Sequence, residues 1–420
     1  MNPINRNHAT LTILWIATLT GWITNGHATE TVIERTPNCH WVGTWASSAQ
    51  PVEEELMPPD FQSLDNTTLR QVVRVSIGGT RLRVRFSNAF AGWADDLTIS
   101  AASVAVAKGD RAVDPNTIQR LTFHGQAGVV VPYGTLMLSD PVDFDLAAGS
   151  DLAVTIHVVK APKKITGHRS ARGEVVLIQS GDAVNETKLA HAVRNKCWYF
   201  LCGVDVPAPP SGAAMVCLGD SITDGKGSTE GANRRWPDVL ARRLGANPDT
   251  AHIAVLNQGI GGNALWRGGI GPTALQRIER DVLSQPGVRW VIIMEGINDL
   301  GGGKTSVREM IVAYEQIILR ARERGLFVYG GTIMPCGDSF YFNPDLERKR
   351  QAINHWIRTG GAFDAVIDFD AATRDPQAPD RLLPAADSGD HLHPSDQGHR
   401  LIAETVDLKR LFHPLTHLFP

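Results

Sequence analysis

The chain is poor in cysteine. Its 420 residues include five, Cys39, Cys197, Cys202, Cys217 and Cys336, with no Cys-x-x-Cys pair and no Cys/His spacing of a zinc site. A disulfide-built scaffold and a zinc module are thereby excluded. Cys197 and Cys202 could pair with each other, or one of them with Cys39, and the sequence leaves that choice open. Cys217, inside Met215-Val216-Cys217-Leu218, reads as a small buried hydrophobe. Charge of one sign is lacking too: 41 Lys and Arg face 44 Asp and Glu, a formal net charge of −3. A chain so close to neutral has no global attraction to nucleic acid or to an anionic membrane. Long apolar runs are missing, which excludes a polytopic membrane protein. No Gly-x-Ser-x-Gly occurs anywhere, which argues against the larger α/β-hydrolase class. What is present is an ordinary hydrophobic fraction of 43%, enough for two or three globular domains.

The first residues stand apart. Arg6 precedes an apolar stretch from Ala9 to Thr24, and Gly26-His27-Ala28 follows with small residues where a cleavage site needs them. This order reads as a secretory signal over residues 1–28, so the protein is expected to be exported to the periplasm or the medium. The stretch is short for a membrane span, and no stable membrane insertion is expected.

Residues 38–205 carry a β pattern. In Gln71–Ile77, Val73, Val75 and Ile77 alternate with polar residues, and in Thr80–Phe86 so do Leu82, Val84 and Phe86. With Gly78-Gly79 between them, the two runs predict a hairpin with a primed turn, and Arg81, Arg83 and Arg85 its solvated face. Further strands are predicted at Leu97–Ala107, Leu152–Val159 and Glu174–Gln179, which suggests an all-β sandwich or jelly-roll-like domain. Val206-Pro207-Ala208-Pro209-Pro210-Ser211-Gly212 reads as a linker. From residue 213 to 420 short apolar strands alternate with amphipathic helices about five times. Strands are predicted at Ala213–Leu218, Ile253–Asn257, Trp290–Met294, Leu326–Thr332 and Ala365–Phe369. Helices are predicted at Trp236–Leu244, Ala274–Leu283, Ser306–Arg324 and Leu346–Arg358. The fold class expected is α/β, a parallel sheet flanked by helices and preceded by the β domain.

In such sheets chemistry gathers where strands end. The first strand runs into Gly219-Asp220-Ser221-Ile222-Thr223-Asp224-Gly225, the second into Asn257-Gln258-Gly259-Ile260-Gly261-Gly262-Asn263, and the third into Glu295-Gly296-Ile297-Asn298-Asp299. Asp390-His391-Leu392-His393-Pro394 lies near the C-terminus. In this order the four blocks resemble those of the SGNH hydrolases, the GDSL-type esterases and lipases, over residues 213–408. The preceding β domain is similar to the N-terminal region of one bacterial subgroup.

The resemblance implies a flavodoxin-like parallel sheet and a serine esterase that needs no cofactor and no metal. Ser221 would attack an ester carbonyl, His393 would relay the proton, and Asp390 would hold the imidazole. The backbone amides of Ser221 and Gly262 with the side-chain amide of Asn298 would form the oxyanion hole. The expected partner is a small ester or an acylated carbohydrate, the latter by fold analogy alone. Two other readings remain: a non-catalytic carbohydrate-binding protein on a hydrolase scaffold, and a lipase or phospholipase of the same family. His391 and His399 read as loop and structural residues. Trp236, Trp266 and Arg267 read as packing, though each could line a site for acyl or sugar. Asp364, Asp368 and Asp370 lack the spacing of a metal site.

Overall fold

The computed structural model describes residues 39–58, 63–109, 112–172 and 175–409. The expected secretory signal, residues 1–28, lies outside the described residues.

The β-rich part is built on β1 (His40–Ala46), β2 (Thr67–Arg74), β3 (Gly79–Ser87), β4 (Leu97–Lys108), β5 (Val142–Leu146), β6 (Asp151–Lys160), β7 (Thr166–His168), β8 (Val176–Ser180) and β9 (Leu201–Ala208). One antiparallel sheet has the order β1-β9-β3-β5, and a second contains β8-β2-β6-β4. The alternation in the sequence correctly gives the buried faces, since Val73, Val75, Ile77, Leu82, Val84 and Phe86 all enter one core. The predicted hairpin does not form. β2 pairs with β6 and β8, whereas β3 pairs with β9 and β5, so the Gly-Gly pair turns a corner between sheets. A Cβ on Gly78 would lie 2.3 Å from Leu146 O, so the glycine there permits a close backbone crossing rather than a primed turn.

The arginine stripe on β3 is not a free solvated face either. Arg83 and Arg85 both reach buried Asp205, at 3.0 and 3.1 Å, and Arg85 donates to Gln285 Oε1 of the following part at 2.9 Å. The segment 206–212 is divided: Val206–Ala208 complete β9, and Gly212 N donates to Pro209 O in a tight turn.

The second part is a five-stranded parallel sheet. Its strands are β10 (Ala213–Gly219), β11 (Ile253–Gly259), β12 (Val288–Met294), β13 (Phe327–Gly331) and β14 (Ala365–Ile367), in the order β11-β10-β12-β13-β14. This is the flavodoxin-like arrangement, with functional loops expected at the carboxyl edge. Every residue of β10 is buried, and its alternation separates two layers. Ala213, Met215 and Cys217 pack with Trp236 and Leu240 of α2 (Trp236–Gly245) on one face. Ala214, Val216 and Leu218 face the core that continues into the β-rich part. The predicted helix at 274–283 is α-helical only over its first turn, Ala274–Ile278, and continues as a π turn to Leu283.

The two parts belong to one compact unit and are joined by direct bonds. Gly43 N donates to Pro286 O at 2.9 Å, and Ser48 Oγ donates to Gln258 Oε1 at 2.6 Å.

Candidate active site

At the end of β10 the chain passes directly into α1 (Ser221–Asp224), a single turn. Asp220 caps it by accepting from Ile222 N at 2.9 Å, and Gly225 ends it in the left-handed region. The turn is pressed onto the sheet: a Cβ on Gly259 would stand 2.2 Å from Asp224 N. Trp236, fully buried, donates from Nε1 to Thr223 Oγ1 at 3.3 Å, so this tryptophan packs behind the turn.

The C-terminal loop meets this turn. Ser221 Oγ donates to His393 Nε2 at 2.8 Å, and His393 Nδ1 donates to Asp390 Oδ2 at 2.7 Å. The partners define the tautomer, with the proton on Nδ1 and a lone pair on Nε2 facing the serine. Asp390 Oδ1 also accepts from the backbone N–H groups of His393 and Leu392. Burial pushes Asp390 up, but these bonds outweigh it and bring its pKa down to about 2. Burial lowers His393 below the usual histidine value; Asp390 opposes that shift, while Lys226 and Arg172 add to it. A hydroxyl so held can surrender its proton as it attacks. His391 turns away and pairs with Asp387 at 2.6 Å.

Gly262 and Asn298 approach from the ends of β11 and β12. Gly262 has φ +75°, and a Cβ there would come within 2.9 Å of Ile270 Cδ1. Among the described residues, neither the Ser221 nor the Gly262 backbone N–H has an acceptor. Asn298 Nδ2 donates to Asn263 O at 2.7 Å, leaving its second hydrogen free, and Tyr341 donates from its hydroxyl to Asn298 Oδ1 at 2.9 Å. Asp299 accepts from Leu265 N and Trp266 N, so the short helix Ile297–Gly301 secures the loop after Gly262 with two side chains.

Beneath these loops lies Arg277, fully buried. It donates to Gly219 O, Gln258 O and Asn263 Oδ1 and meets Glu295 and Asp281, tying the ends of three strands together. Burial pushes Asp220 up to about 7 and Glu295 well above the usual carboxyl range.

The acidic trio is otherwise engaged: Asp364 pairs with Arg322, Asp368 with Arg358, and Asp370 with Arg350, Arg358 and Arg374. Arg267 pairs with Glu309, and Trp266 is half-buried against the core. His399 is buried and bonded to Trp236 N and Lys226 O. The structure thus brings Ser221, His393, Asp390, Gly262 and Asn298 to one edge of the sheet. Sequence reasoning missed Tyr341, Arg277, Asp299, His168 and Arg172. Of these only Asp299 had a signal, its place beside Asn298.

No helix among the described residues is long and apolar enough to cross a membrane. Residues 217–401 match the GDSL-like lipase/acylhydrolase family. Curated proteins give no match. Several solved structures are similar. A putative lipolytic protein of the G-D-S-L family from Desulfitobacterium hafniense shares 21% identity over 46% of this chain and 97% of its own (TM-score 0.37). An acetyl xylan esterase from Geobacillus stearothermophilus shares 24% over 46% and 93% (0.37). A family two carbohydrate esterase from Clostridium thermocellum, in complex with cellohexaose, shares 14% over 82% and 94% (0.37). Residues 217–401 thus form a GDSL-like lipase/acylhydrolase domain, and a β-rich part precedes it.

Proposed function

We propose that this chain is an exported serine esterase that hydrolyses short-chain carboxylic esters. The observation that carries the reading is the Ser221–His393–Asp390 relay, with bonds of 2.8 and 2.7 Å. In the first half-reaction Ser221 Oγ bonds to the ester carbonyl carbon while His393 Nε2 takes its proton. The imidazolium so formed is held by Asp390, and the oxyanion accepts from the N–H groups of Ser221 and Gly262 and from Asn298 Nδ2. Collapse breaks the bond to the alcohol, which leaves with the proton from His393. Water, deprotonated by the same imidazole, then releases the acid and restores the serine.

An acylated carbohydrate is the substrate class we assign, with hydrolysis of acetylated xylan set against long-chain triglyceride as its test. A non-catalytic sugar-binding role leaves an assembled proton relay unexplained.

A fluorophosphonate probe tests the nucleophile. It should label the protein once, and the labelled peptide should contain Ser221. Labelling elsewhere, or none, defeats the reading. N-terminal sequencing of protein recovered outside the cytoplasm should begin at Thr29, and an intact Met1 in that fraction would count against a cleaved signal.

A further inference from the structure

Asp224 closes α1, one turn after Ser221, and its buried carboxylate is held entirely from the β-rich part. Oδ1 lies 2.9 Å from His168 Nε2, at the end of β7, and Oδ2 accepts from Arg172. The other ring nitrogen of His168, Nδ1, lies 2.9 Å from Ser48 O. The His168 ring thus stands between two acceptors, the Ser48 carbonyl and the Asp224 carboxylate, one at each ring nitrogen. Burial pushes Asp224 up, yet Arg172 and His168 outweigh it and hold the carboxyl below the usual carboxylate range.

The same contact continues across the sheet edge. Ser48 Oγ donates to Gln258 Oε1 and accepts from Arg277 Nη1 at 2.9 Å, and Arg277 holds the carbonyls of Gly219 and Gln258. On the oxyanion side, a Cβ on Gly261 would lie 3.4 Å from Arg172 Nη2 and 3.7 Å from Arg169 Cδ. One turn of helix has too few internal bonds to fix its own position. Its anchors therefore decide where Ser221 stands.

We propose that His168 and Arg172 are positioning residues for Ser221: by clamping Asp224 they make the β-rich part half of the catalytic centre. This rests on the serine esterase reading above. A misplacement of about 1 Å between reacting groups can cost about a hundredfold in rate, so the clamp should act on kcat rather than on KM.

A cavity of about 310 Å³ makes the idea testable. It lies between the two parts and is lined by Trp45, Trp198, His168, Asp224 and Asn257, among others. Neither Ser221 nor His393 lines it, so it is distinct from the ester cleft, but it gives a small molecule access to the place of the His168 ring.

The experiment uses the full chain and p-nitrophenyl acetate. His168→Ala should lower kcat about 10- to 100-fold with KM within about twofold, while unfolding remains cooperative. Added imidazole should restore kcat saturably, with the background hydrolysis by imidazole measured on Ser221→Ala. If His168→Ala does not fold, Asp224→Asn, which keeps the shape and removes the charge, should show the same loss in kcat. A kcat within twofold of wild type in the variant that folds overturns the proposal. So does a loss confined to KM, or a loss in His168→Ala that imidazole does not relieve. Activity surviving in Ser221→Ala would instead overturn the serine reading, and the two failures are separable.

Discussion

Tyr341→Phe removes one hydroxyl and little else. The hydroxyl donates to Asn298 Oδ1 at 2.9 Å and so fixes which way the amide faces. Burial, then the nearby Asp220, raises Tyr341 above the ordinary tyrosine value, so the group stays a donor throughout the working pH range. The ring packs on Gly301, where a Cβ would come within 2.6 Å of it, and phenylalanine keeps that contact. A neutral hydrogen bond of this kind is worth about 0.5–1.5 kcal/mol net, which corresponds to about a 2- to 13-fold change in rate. Losing the Asn298 donor altogether, as in Asn298→Ala, should cost about 100- to 1000-fold. The assay is kcat and KM on p-nitrophenyl acetate for both variants, with unfolding midpoints alongside. Tyr341→Phe should fall between wild type and Asn298→Ala, with the loss in kcat and an unchanged midpoint. If Tyr341→Phe equals wild type, the hydroxyl does not orient the amide. If it is as crippled as Asn298→Ala, the amide is not the donor we describe.

Further expectations concern pH and backbone. His393 must be neutral to accept the serine proton, and burial lowers its pKa below the ordinary 6.5, so activity should persist below pH 6.5 and be lost only as pH falls through that lowered value. A pH profile of kcat/KM whose acid limb lies above 6.5 would contradict this. Buried His399 has its pKa lowered to about 4 by desolvation. The unfolded chain then binds more protons between pH 4 and 6.5, so stability is fully present above 6.5 and declines as pH falls to 4, by about 3 kcal/mol in all. Denaturant melts of wild type and His399→Gln should differ in slope across that window, and parallel curves would refute it. Gly262→Ala forces a side chain into φ +75° against Ile270, so it should cost about 1–2 kcal/mol of stability and reduce kcat as well. Unaltered kcat in that variant would show that this backbone does not face the oxyanion.

The sequence made the parallel sheet readable because each of its strands is a short apolar run ending in small and polar residues, and the order of blocks follows the order of strands. The faces of the β-rich part were equally readable from period-two alternation. Pairing was not. Residues 71–77 and 80–86 alternate as a hairpin would, but both inner faces point into one core, and alternation does not say whether adjacent runs share a sheet. Arg85 looked solvated because β3 shows its other face to the parallel-sheet part, which no local pattern reveals. His168, Arg172, Arg277 and Tyr341 escaped notice for a related reason. Each acts through bonds to residues far away in the sequence, and such bonds leave no spacing in the chain.

The central claim is that Ser221 is the nucleophile of an esterase. The most direct test is hydrolysis of a p-nitrophenyl ester series from acetate to palmitate by wild type and Ser221→Ala. Wild type should turn over the shortest acyl chains fastest, and the variant should show no turnover above background. Activity that survives in Ser221→Ala would contradict it.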